Sequence, residues 1–221
     1  KAMQEANNVI EESRDGVDNI AGGVSDVKSE VPAKAGGEHK EVTAGDGDSV
    51  GGGGPEGNIV RVNTQNSTTR GTVDYDSLNN FAPNTRYELD NGTTFRTNSG
   101  SHVEEVTYTP NLNKIPRDRR QTQVGKEGFP DDVGGHIQAC SMGGTCDRFN
   151  LFPQNKNFNN GEYKKWENEI RDALKRGDDV GSVTVRFRRS DPNATRPDAL
   201  RVEYSINGET IRRNFKNQLG G

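Results

Sequence analysis

The chain has 221 residues, of which only 28% are hydrophobic, and its mean hydropathy is −0.99. A chain of this length that packed throughout would carry more apolar side chains, so we expect part of it to lie outside any core. It has no run of about 18 apolar residues, which argues against a membrane-spanning helix. It also begins without the basic and apolar stretch of a signal peptide. Because the first residue is lysine rather than methionine, we expect the sequence to be part of a longer protein.

Charge and glycine are unevenly distributed along the chain. Residues 1–57 contain 12 of the 27 glycines and no aromatic residue, and they carry 5 basic and 12 acidic side chains. Residues 58–221 carry the remaining 24 basic and 21 acidic side chains, a net charge of +3. We therefore predict a flexible, acidic, glycine-rich segment over residues 1–57 and a folded, mildly basic domain over residues 58–221.

The first predicted elements of the folded domain are strands. The segment "RYELDNGTTFRT" (86–97) has two short strands around Asp90-Asn91-Gly92, which is a hairpin signal. A further strand is predicted at "VEEVTYTP" (103–110). These three segments indicate antiparallel pairing early in the domain.

A stretch rich in glycine and asparagine follows. "GGHIQA" is predicted to end a loop and to start a short strand that carries His136, and Gly143-Gly144 is predicted to form a turn. "RFNLFPQ" reads as a second extended piece that contains Asn150 and that Pro153 closes.

One convincing helix is predicted next, over roughly residues 160–176. Its apolar residues fall on one face at helical spacing, and they are Tyr163, Trp166, Ile170 and Leu174. Gly177 is a plausible C-cap, and Asn159 would lie on the first turn. The arrangement of strand, strand and helix would bring His136, Asn150 and Asn159 together.

The last segments again alternate like strands. "VGSVTVRFRRSD" (180–191), "ALRVEYSING" (199–208) and "ETIRRNFKNQ" (209–218) predict an antiparallel meander with a turn at Asn207-Gly208. Strands before and after one helix favour the α+β class, with a mostly antiparallel sheet.

Phosphodiester hydrolysis is a chemistry that uses a neutral histidine beside an asparagine amide. Histidine titrates near neutrality and suits a general base that takes a proton from an attacking water. Mg²⁺ prefers oxygen ligands and retains several waters, so one side-chain oxygen can hold it. A zinc site would need thiolate or imidazole ligands. The three histidines are scattered, and Cys140 and Cys146 show no zinc spacing.

Residues 116–176 resemble the DNA/RNA non-specific endonucleases, which share the ββα-metal (His-Me finger) fold. The resemblance rests on "GGHIQA", on Gly143-Gly144 and on "NLFPQNKNFNNGEYKKWE" (150–167), and a weaker likeness to toxin-type members extends over residues 84–110. It implies a ββα-metal core over about residues 131–176. A spacer such as residues 1–57 resembles the linker or pre-toxin segment before the C-terminal domain of bacterial polymorphic toxins.

The resemblance also implies roles for individual residues. It implies His136 as the general base, Asn159 as the protein ligand of Mg²⁺, and supporting roles for Asn150 and Glu167. An upstream arginine is expected to stabilise the phosphate, and Arg120 is our candidate among Arg117, Arg119 and Arg120. Mn²⁺ is expected to substitute for Mg²⁺. Members often carry aspartate three residues before the histidine, where this chain has Val133.

Two local questions stay open at the level of the sequence. Glu167 shares the apolar face of the predicted helix, so it either pairs with an arginine or orients a metal-bound water. Cys140 and Cys146 either form a disulfide that braces the loop or remain buried thiols.

The sequence thus predicts a Mg²⁺-dependent, non-specific endonuclease that is the toxic C-terminal domain of a secreted bacterial toxin. It would be delivered into a target cell and act in that cell's cytoplasm on DNA or RNA. An immunity protein is the expected partner. The alternatives are a nuclease that prefers RNA and a non-catalytic nucleic-acid-binding module.

Overall fold

The computed structural model describes residues 58–221. The predictions made for residues 1–57 lie outside the described residues. Within the described part the fold is α+β, and the predicted class, with its mostly antiparallel sheet, is confirmed.

The described residues form two sheets, one of seven strands and one of two. The strands are β1 (Asn58–Val62), β2 (Thr85–Leu89), β3 (Thr94–Thr97), β4 (Val103–Tyr108), β5 (Asp132–His136), β6 (Leu151–Asn155), β7 (Val183–Arg188), β8 (Ala199–Ile206) and β9 (Glu209–Lys216). The large sheet has the order β1-β2-β3-β4-β7-β8-β9, and β5 and β6 form the small one. Only the β1–β2 pair is parallel.

Both predicted tight turns are present. Gly92 has a φ of 85° in the β2–β3 hairpin. Asn207 and Gly208 have φ values of 52° and 80° between β8 and β9, as a two-residue hairpin turn of type I′ requires. The predicted C-terminal meander is confirmed, since β7, β8 and β9 pair in sequence.

Two short helices were not predicted from the sequence. They are α1 (Val73–Asn79), which Thr72 caps, and α2 (Arg119–Gly125), which Asp118 caps. At seven residues each, they are too short to show a clear apolar repeat. No helix in residues 58–221 is long and apolar enough to cross a membrane.

The small sheet differs from the prediction at both strands. We predicted that "GGHIQA" starts a strand, but β5 begins at Asp132, and His136 is its last residue, paired with Leu151. Pro153 was predicted to close the second piece, yet it lies inside β6, opposite Gly134. Its carbonyl accepts a hydrogen bond from Asn217 Nδ2 at 2.9 Å, so this backbone position faces away from β5 and its missing N–H removes no ladder bond.

The helix after β6 starts earlier than predicted and is interrupted. It comprises α3 (Lys156–Phe158), a π-helical turn (Asn159–Tyr163) and α4 (Lys164–Arg176). The N-cap is Asn155, whose Oδ1 accepts hydrogen bonds from the backbone N–H groups of Asn157 and Phe158, both at 3.1 Å. Asn159 therefore lies in the π turn, and Gly177, with a φ of 79°, ends the helix as predicted.

The predicted apolar face joins the helix to both sheets. Tyr163, Trp166 and Ile170 are fully buried. The Trp166 ring packs edge-on against Tyr204 of β8, and Tyr163 packs edge-on against Phe152 of β6. This contact fixes the helix relative to β6 and, through it, relative to the end of β5.

Candidate active site

Two close approaches explain the glycines before His136. A Cβ atom at Gly134 would lie 1.9 Å from the backbone oxygen of Gln121 in α2. A Cβ atom at Gly135 would lie 1.9 Å from Oε1 of Gln154 in β6. Only glycine fits at either position, because neither approach leaves room for a side chain. The Gly-Gly pair thus lets α2 and the Gln154 side chain press against the strand that ends in His136.

The backbone after His136 is held from three directions. The Ile137 N–H donates to the backbone oxygen of Asn150 at 2.8 Å. The Ile137 carbonyl accepts hydrogen bonds from the hydroxyls of Tyr108 at 3.3 Å and Tyr163 at 3.0 Å. Burial raises the pKa of both tyrosines, so their hydroxyls remain donors. The position of His136 is therefore fixed by the large sheet and by the helix together.

Asn150 braces the loop that follows β5. Its Oδ1 accepts a hydrogen bond from the Gln138 N–H at 2.8 Å, and its Nδ2 donates to the backbone oxygens of Gln138 at 3.0 Å and Thr145 at 2.8 Å. The residue is only 1% exposed. The structure brings it next to the loop beyond His136, where it positions backbone.

Asn159 is oriented by a single side chain. Its Nδ2 donates to Gln154 Oε1 at 2.5 Å, and this is the same oxygen that lies against Gly135. Among the described residues, no donor bonds to Asn159 Oδ1, so the carbonyl end of the amide is available to a ligand. This oxygen donor suits Mg²⁺, and the residues present fit that ion.

Glu167 is a partly buried carboxyl on α4. Burial raises its pKa to about 7, against the attraction of Arg117, Arg171 and Lys164. None of these cations makes a hydrogen bond or ion pair with it among the described residues. The geometry therefore does not form the direct arginine pair that was one of the two sequence-based alternatives.

The three candidate arginines have different surroundings. Arg120, our candidate for the phosphate contact, donates to Asp118, to Asp147 Oδ1 at 2.5 Å and to Asn79 Oδ1 at 3.0 Å. Its guanidinium is thus committed to a structural network. Arg119 is exposed at the start of α2. Arg117 is exposed and close enough to both Glu167 and Cys140 to influence their pKa values. The structure therefore favours Arg117 over Arg120 as the arginine that faces the site.

The aspartates before His136 also have a structural place. Asp132, whose side chain is fully buried, forms an ion pair with Arg196, with an Nε–Oδ2 distance of 2.5 Å. Arg196 in turn donates to the backbone oxygen of Asn217 at 2.7 Å. Asp132 therefore links β5 to the C-terminal segment.

His136 lies between the two cysteines, a cluster that the sequence reasoning missed. Its Nε2 is 3.1 Å from Cys140 Sγ and 3.4 Å from Cys146 Sγ. Both cysteines are buried free thiols, so the disulfide alternative is not formed here. Hydrogen bonds with Cys140 and His136 lower the pKa of the Cys146 thiol. The pKa of the Cys140 thiol is raised by its hydrogen bond with Cys146 and by burial. The sequence signal that could have indicated this cluster is the position of Cys140, four residues after His136.

A cavity of about 220 Å³ lies elsewhere. His102, Arg148 and Arg189 are among its lining residues, whereas His136, Asn159 and Glu167 are not. A ligand pocket is often the first candidate for an active site, but here the predicted chemical groups lie outside it.

Comparison with known proteins identifies the family to which this fold belongs. The strand that ends in His136, the second strand and the helix that bears Asn159 form the predicted ββα arrangement. A family model described as DNA/RNA non-specific endonuclease matches residues 83–208, more than half of the chain. The chain belongs to this family, and it is therefore a nuclease that hydrolyses phosphodiester bonds.

The chain is also similar to individual proteins, over part of their length. The chain is 33% identical over 144 residues to the type VII secretion system protein EssD of Staphylococcus aureus strains USA300 and NCTC 8325. That match covers 61% of this chain and 23% of the relative, so the chain spans about a quarter of the relative's length. The solved structure of NucA from Streptococcus agalactiae with magnesium bound has a TM-score of 0.45 and 13% identity, covering 57% of this chain and 72% of NucA. The structure of NucA with no metal bound also has a TM-score of 0.45 and 13% identity, and that match covers 69% of this chain and 92% of NucA.

Proposed function

We propose that residues 58–221 form a Mg²⁺-dependent endonuclease domain that cleaves DNA with little sequence preference. The observation that carries the proposal is the contact through Gln154 Oε1, which lies against the backbone of Gly135 and accepts the hydrogen bond of Asn159 Nδ2. Through this contact, the strand that presents His136 is linked to the helical turn that presents Asn159.

His136 is the proposed general base. Its Nε2 is occupied by the two thiols, while among the described residues Nδ1 has no hydrogen-bond partner. A neutral imidazole with its proton on Nε2 donates toward sulfur and leaves the lone pair of Nδ1 to accept a proton from an attacking water. The bonds from Tyr108 and Tyr163 to the Ile137 carbonyl fix the backbone next to His136, and the contacts of Nε2 with the two sulfurs orient the ring.

Asn159 is the proposed protein ligand of Mg²⁺, through Oδ1. When bound, the ion would neutralise charge that grows on the phosphate and on the leaving oxygen. Gln154 orients the amide so that its oxygen, and not its nitrogen, is presented. An uncharged ligand also avoids repelling the phosphate.

Glu167 and Arg117 complete the proposed site. A carboxyl that is poorly solvated and has no cation in direct contact is suited to accept a hydrogen bond from water near Asn159. Arg117 is exposed and lies close to Cys140 and Glu167, so it can contact a phosphate at the edge of the site. Asn150 positions the loop beyond His136, and Arg120 holds α2 in place.

The setting of the activity is also a proposal. EssD is named as a type VII secretion system protein, and by this likeness we propose that the chain is secreted and acts as a toxin in the cytoplasm of a target cell. A cell that makes such a nuclease needs protection, so an acidic immunity protein is the proposed partner. It would bind the region of net charge +3, and its association rate would fall as salt rises.

The choice of substrate rests on the kind of contact available. The net charge of +3 over residues 58–221 favours contacts to phosphates over contacts to bases. Phosphate contacts serve DNA and RNA alike. RNA cleavage by the same mechanism is therefore the second candidate.

One pair of assays tests the proposal. Supercoiled plasmid and a structured RNA are incubated with the protein in Mg²⁺, in Mn²⁺ and in EDTA. We expect plasmid nicking with either ion and none in EDTA. Cleavage of RNA alone would make the enzyme a ribonuclease, and cleavage that persists in EDTA would overturn the metal dependence. Retarded but intact plasmid would indicate a non-catalytic binding module.

A further inference from the structure

We propose that His136, Cys140 and Cys146 form a binding site for Zn²⁺, and that zinc bound there withdraws His136 from catalysis. The three ligand atoms, one imidazole nitrogen and two sulfurs, all lie within 4.8 Å of one another. Metal binding at this cluster does not depend on the proposed function, whereas the inhibition rests on His136 being the general base.

The geometry is close to what zinc requires. Tetrahedral coordination with Zn–N near 2.05 Å and Zn–S near 2.3 Å places nitrogen and sulfur about 3.6 Å apart and two sulfurs about 3.8 Å apart. The Nε2–Sγ distances are 3.1 Å and 3.4 Å. Each sulfur therefore needs to move outward by only a few tenths of an ångström to admit an ion.

The surroundings hold both sulfurs in place. Cys140 begins a 3₁₀ turn (Cys140–Met142), and its backbone oxygen accepts a hydrogen bond from the Ile115 N–H at 2.9 Å. The Sγ atom of Cys146 accepts a hydrogen bond from the Asp118 N–H at 3.3 Å. The bond to Cys146 acts on the ligand atom itself, and the bond to Cys140 fixes the backbone that carries the second sulfur, so both help to orient the ligands for a metal.

The chemistry of the donors selects the ion. Two thiolates and one imidazole suit zinc and disfavour Mg²⁺, which takes oxygen ligands. The cluster packs with the buried side chains of Val124 and Leu151. Two thiolates in such an environment need positive charge beside them. The Arg117 guanidinium near Cys140 carries a single positive charge, and Zn²⁺ would add two more. The thiol protons leave to solvent when the ion binds, and a water completes the tetrahedron.

The consequence for catalysis follows from the number of lone pairs. A neutral imidazole has one nitrogen that can accept a proton or a metal, and the other nitrogen carries hydrogen. If zinc occupies Nε2, the hydrogen is on Nδ1, which then cannot accept a proton from water. Zinc at this cluster would thus switch off the base while the Mg²⁺ ligand Asn159 stays free.

Cobalt titration of the whole chain tests the site without an activity assay. With a phosphine reductant present, Co²⁺ is expected to give a thiolate-to-cobalt charge-transfer band that Zn²⁺ bleaches. The band should be lost in the Cys140→Ser/Cys146→Ser variant, roughly halved in either single variant, and kept in Ser141→Ala, a control in the same loop. Zinc affinity should fall more than about 100-fold in the double variant, since outer-shell changes alone cost 10–100-fold. Absence of the band in the native protein would overturn the site.

Cleavage assays then test the consequence. For each variant, the plasmid-cleavage rate in excess Mg²⁺ with zinc is divided by its own rate without zinc. We expect at least about a tenfold drop for the native chain and for Ser141→Ala, a smaller drop for either single serine variant, and a ratio near one for the double serine variant. If zinc inhibits the single and double serine variants as strongly as the native chain, zinc acts at another site, and the proposal that it inhibits through His136 is overturned. If cobalt binds but zinc leaves the native rate unchanged, the base role of His136 fails while the metal site stands.

Discussion

His136 is the residue on which the proposed chemistry depends most. His136→Ala should fold, because the backbone bonds of Ile137 do not involve the imidazole. Its cleavage rate should fall about 10²–10⁴-fold, the usual contribution of a general base. The matched control is His102→Gln, since His102 lines the separate cavity. Near-native cleavage by a folded His136→Ala variant would remove this residue from the mechanism.

Asn159 is expected to determine the response to Mg²⁺. Asn159→Ala removes the available oxygen, so both the maximal rate and the apparent Mg²⁺ affinity should fall, by at least about tenfold in rate. Asn159→Asp retains an oxygen ligand and should retain part of the affinity. Asn160→Ala, at the exposed neighbouring position, is the control. An unchanged Mg²⁺ titration for Asn159→Ala would place the ligand at another residue.

Glu167 gives a pH dependence of stability whose sign is defined. Its carboxyl has a pKa of about 7 in the folded protein and an ordinary value of 4.5. The folded state thus holds more protons between these pH values, and the free energy of unfolding falls as the pH rises through this window. The groups that face it are Arg117, Arg171, Lys164 and the two buried tyrosines, Tyr108 and Tyr163.

The variant Glu167→Gln should not show this fall in the free energy of unfolding with rising pH, because it has no carboxyl group at this position. In EDTA, its stability relative to the native chain should rise between pH 5 and pH 8 by on the order of 1–3 kcal/mol, measured by urea unfolding. Glu162→Gln, at an exposed position on the same helix, should show no such rise. A native-to-Gln difference that stays constant with pH would contradict the raised pKa.

At the scale of elements, the contact between β5 and β6 couples stability to activity. Gly135→Ala places a methyl group 1.9 Å from Gln154 Oε1 in an otherwise fixed interface. Overpacking of this kind costs about 1–3 kcal/mol. It should also displace Gln154 from Asn159, so the cleavage rate should fall in the protein that remains folded.

A double-mutant cycle separates these effects. Gln154→Ala removes the Oε1 and Cδ atoms that the methyl group would meet, although the Cβ of residue 154 stays 2.8 Å away, so part of the clash is relieved. Gly135→Ala/Gln154→Ala should therefore be more stable than the sum of the two single changes predicts, by about 0.5–3 kcal/mol. Activity should not recover, because Asn159 has lost its partner. Additive unfolding energies would show that the two residues do not meet.

The elements also show what sequence alone can predict. The hairpins, the meander and the helical face follow from local patterns, and the structure has them. The helix start was placed late because Asn155, Asn157 and Asn159 are equally good caps by type, and only the hydrogen bonds to Asn155 Oδ1 distinguish them. Likewise, β5 was misplaced because a two-stranded sheet with glycines has little periodicity. The choice between Arg117 and Arg120 depends on contacts 27 and 41 residues away in sequence, with Asp147 and Asn79.

For the whole molecule, the charge division predicts the outcome of a truncation. Residues 1–57 are acidic and lack aromatic side chains, so they offer little surface for tight docking on the domain. Removing them should change the plasmid-cleavage rate of residues 58–221 by less than about twofold. Strong activation would instead show that the acidic segment covers the substrate site. A salt series supplies the control, because an electrostatic cover would also be released as ionic strength rises.

Asn217, near the end of β9, has a consequence for the order of events during synthesis. Its Oδ1 accepts a hydrogen bond from the Asn155 N–H at 2.8 Å, and its Nδ2 donates to Pro153 and Pro197. The junction of β6 and the helix is thus supported by a residue made 62 positions later. A ribosome that has translated the whole segment from His136 to Glu167 has not yet supplied this support. We therefore expect the nascent chain to acquire nuclease activity only after β9 has left the exit tunnel, which shortens the time in which the producing cell is exposed to an uninhibited enzyme.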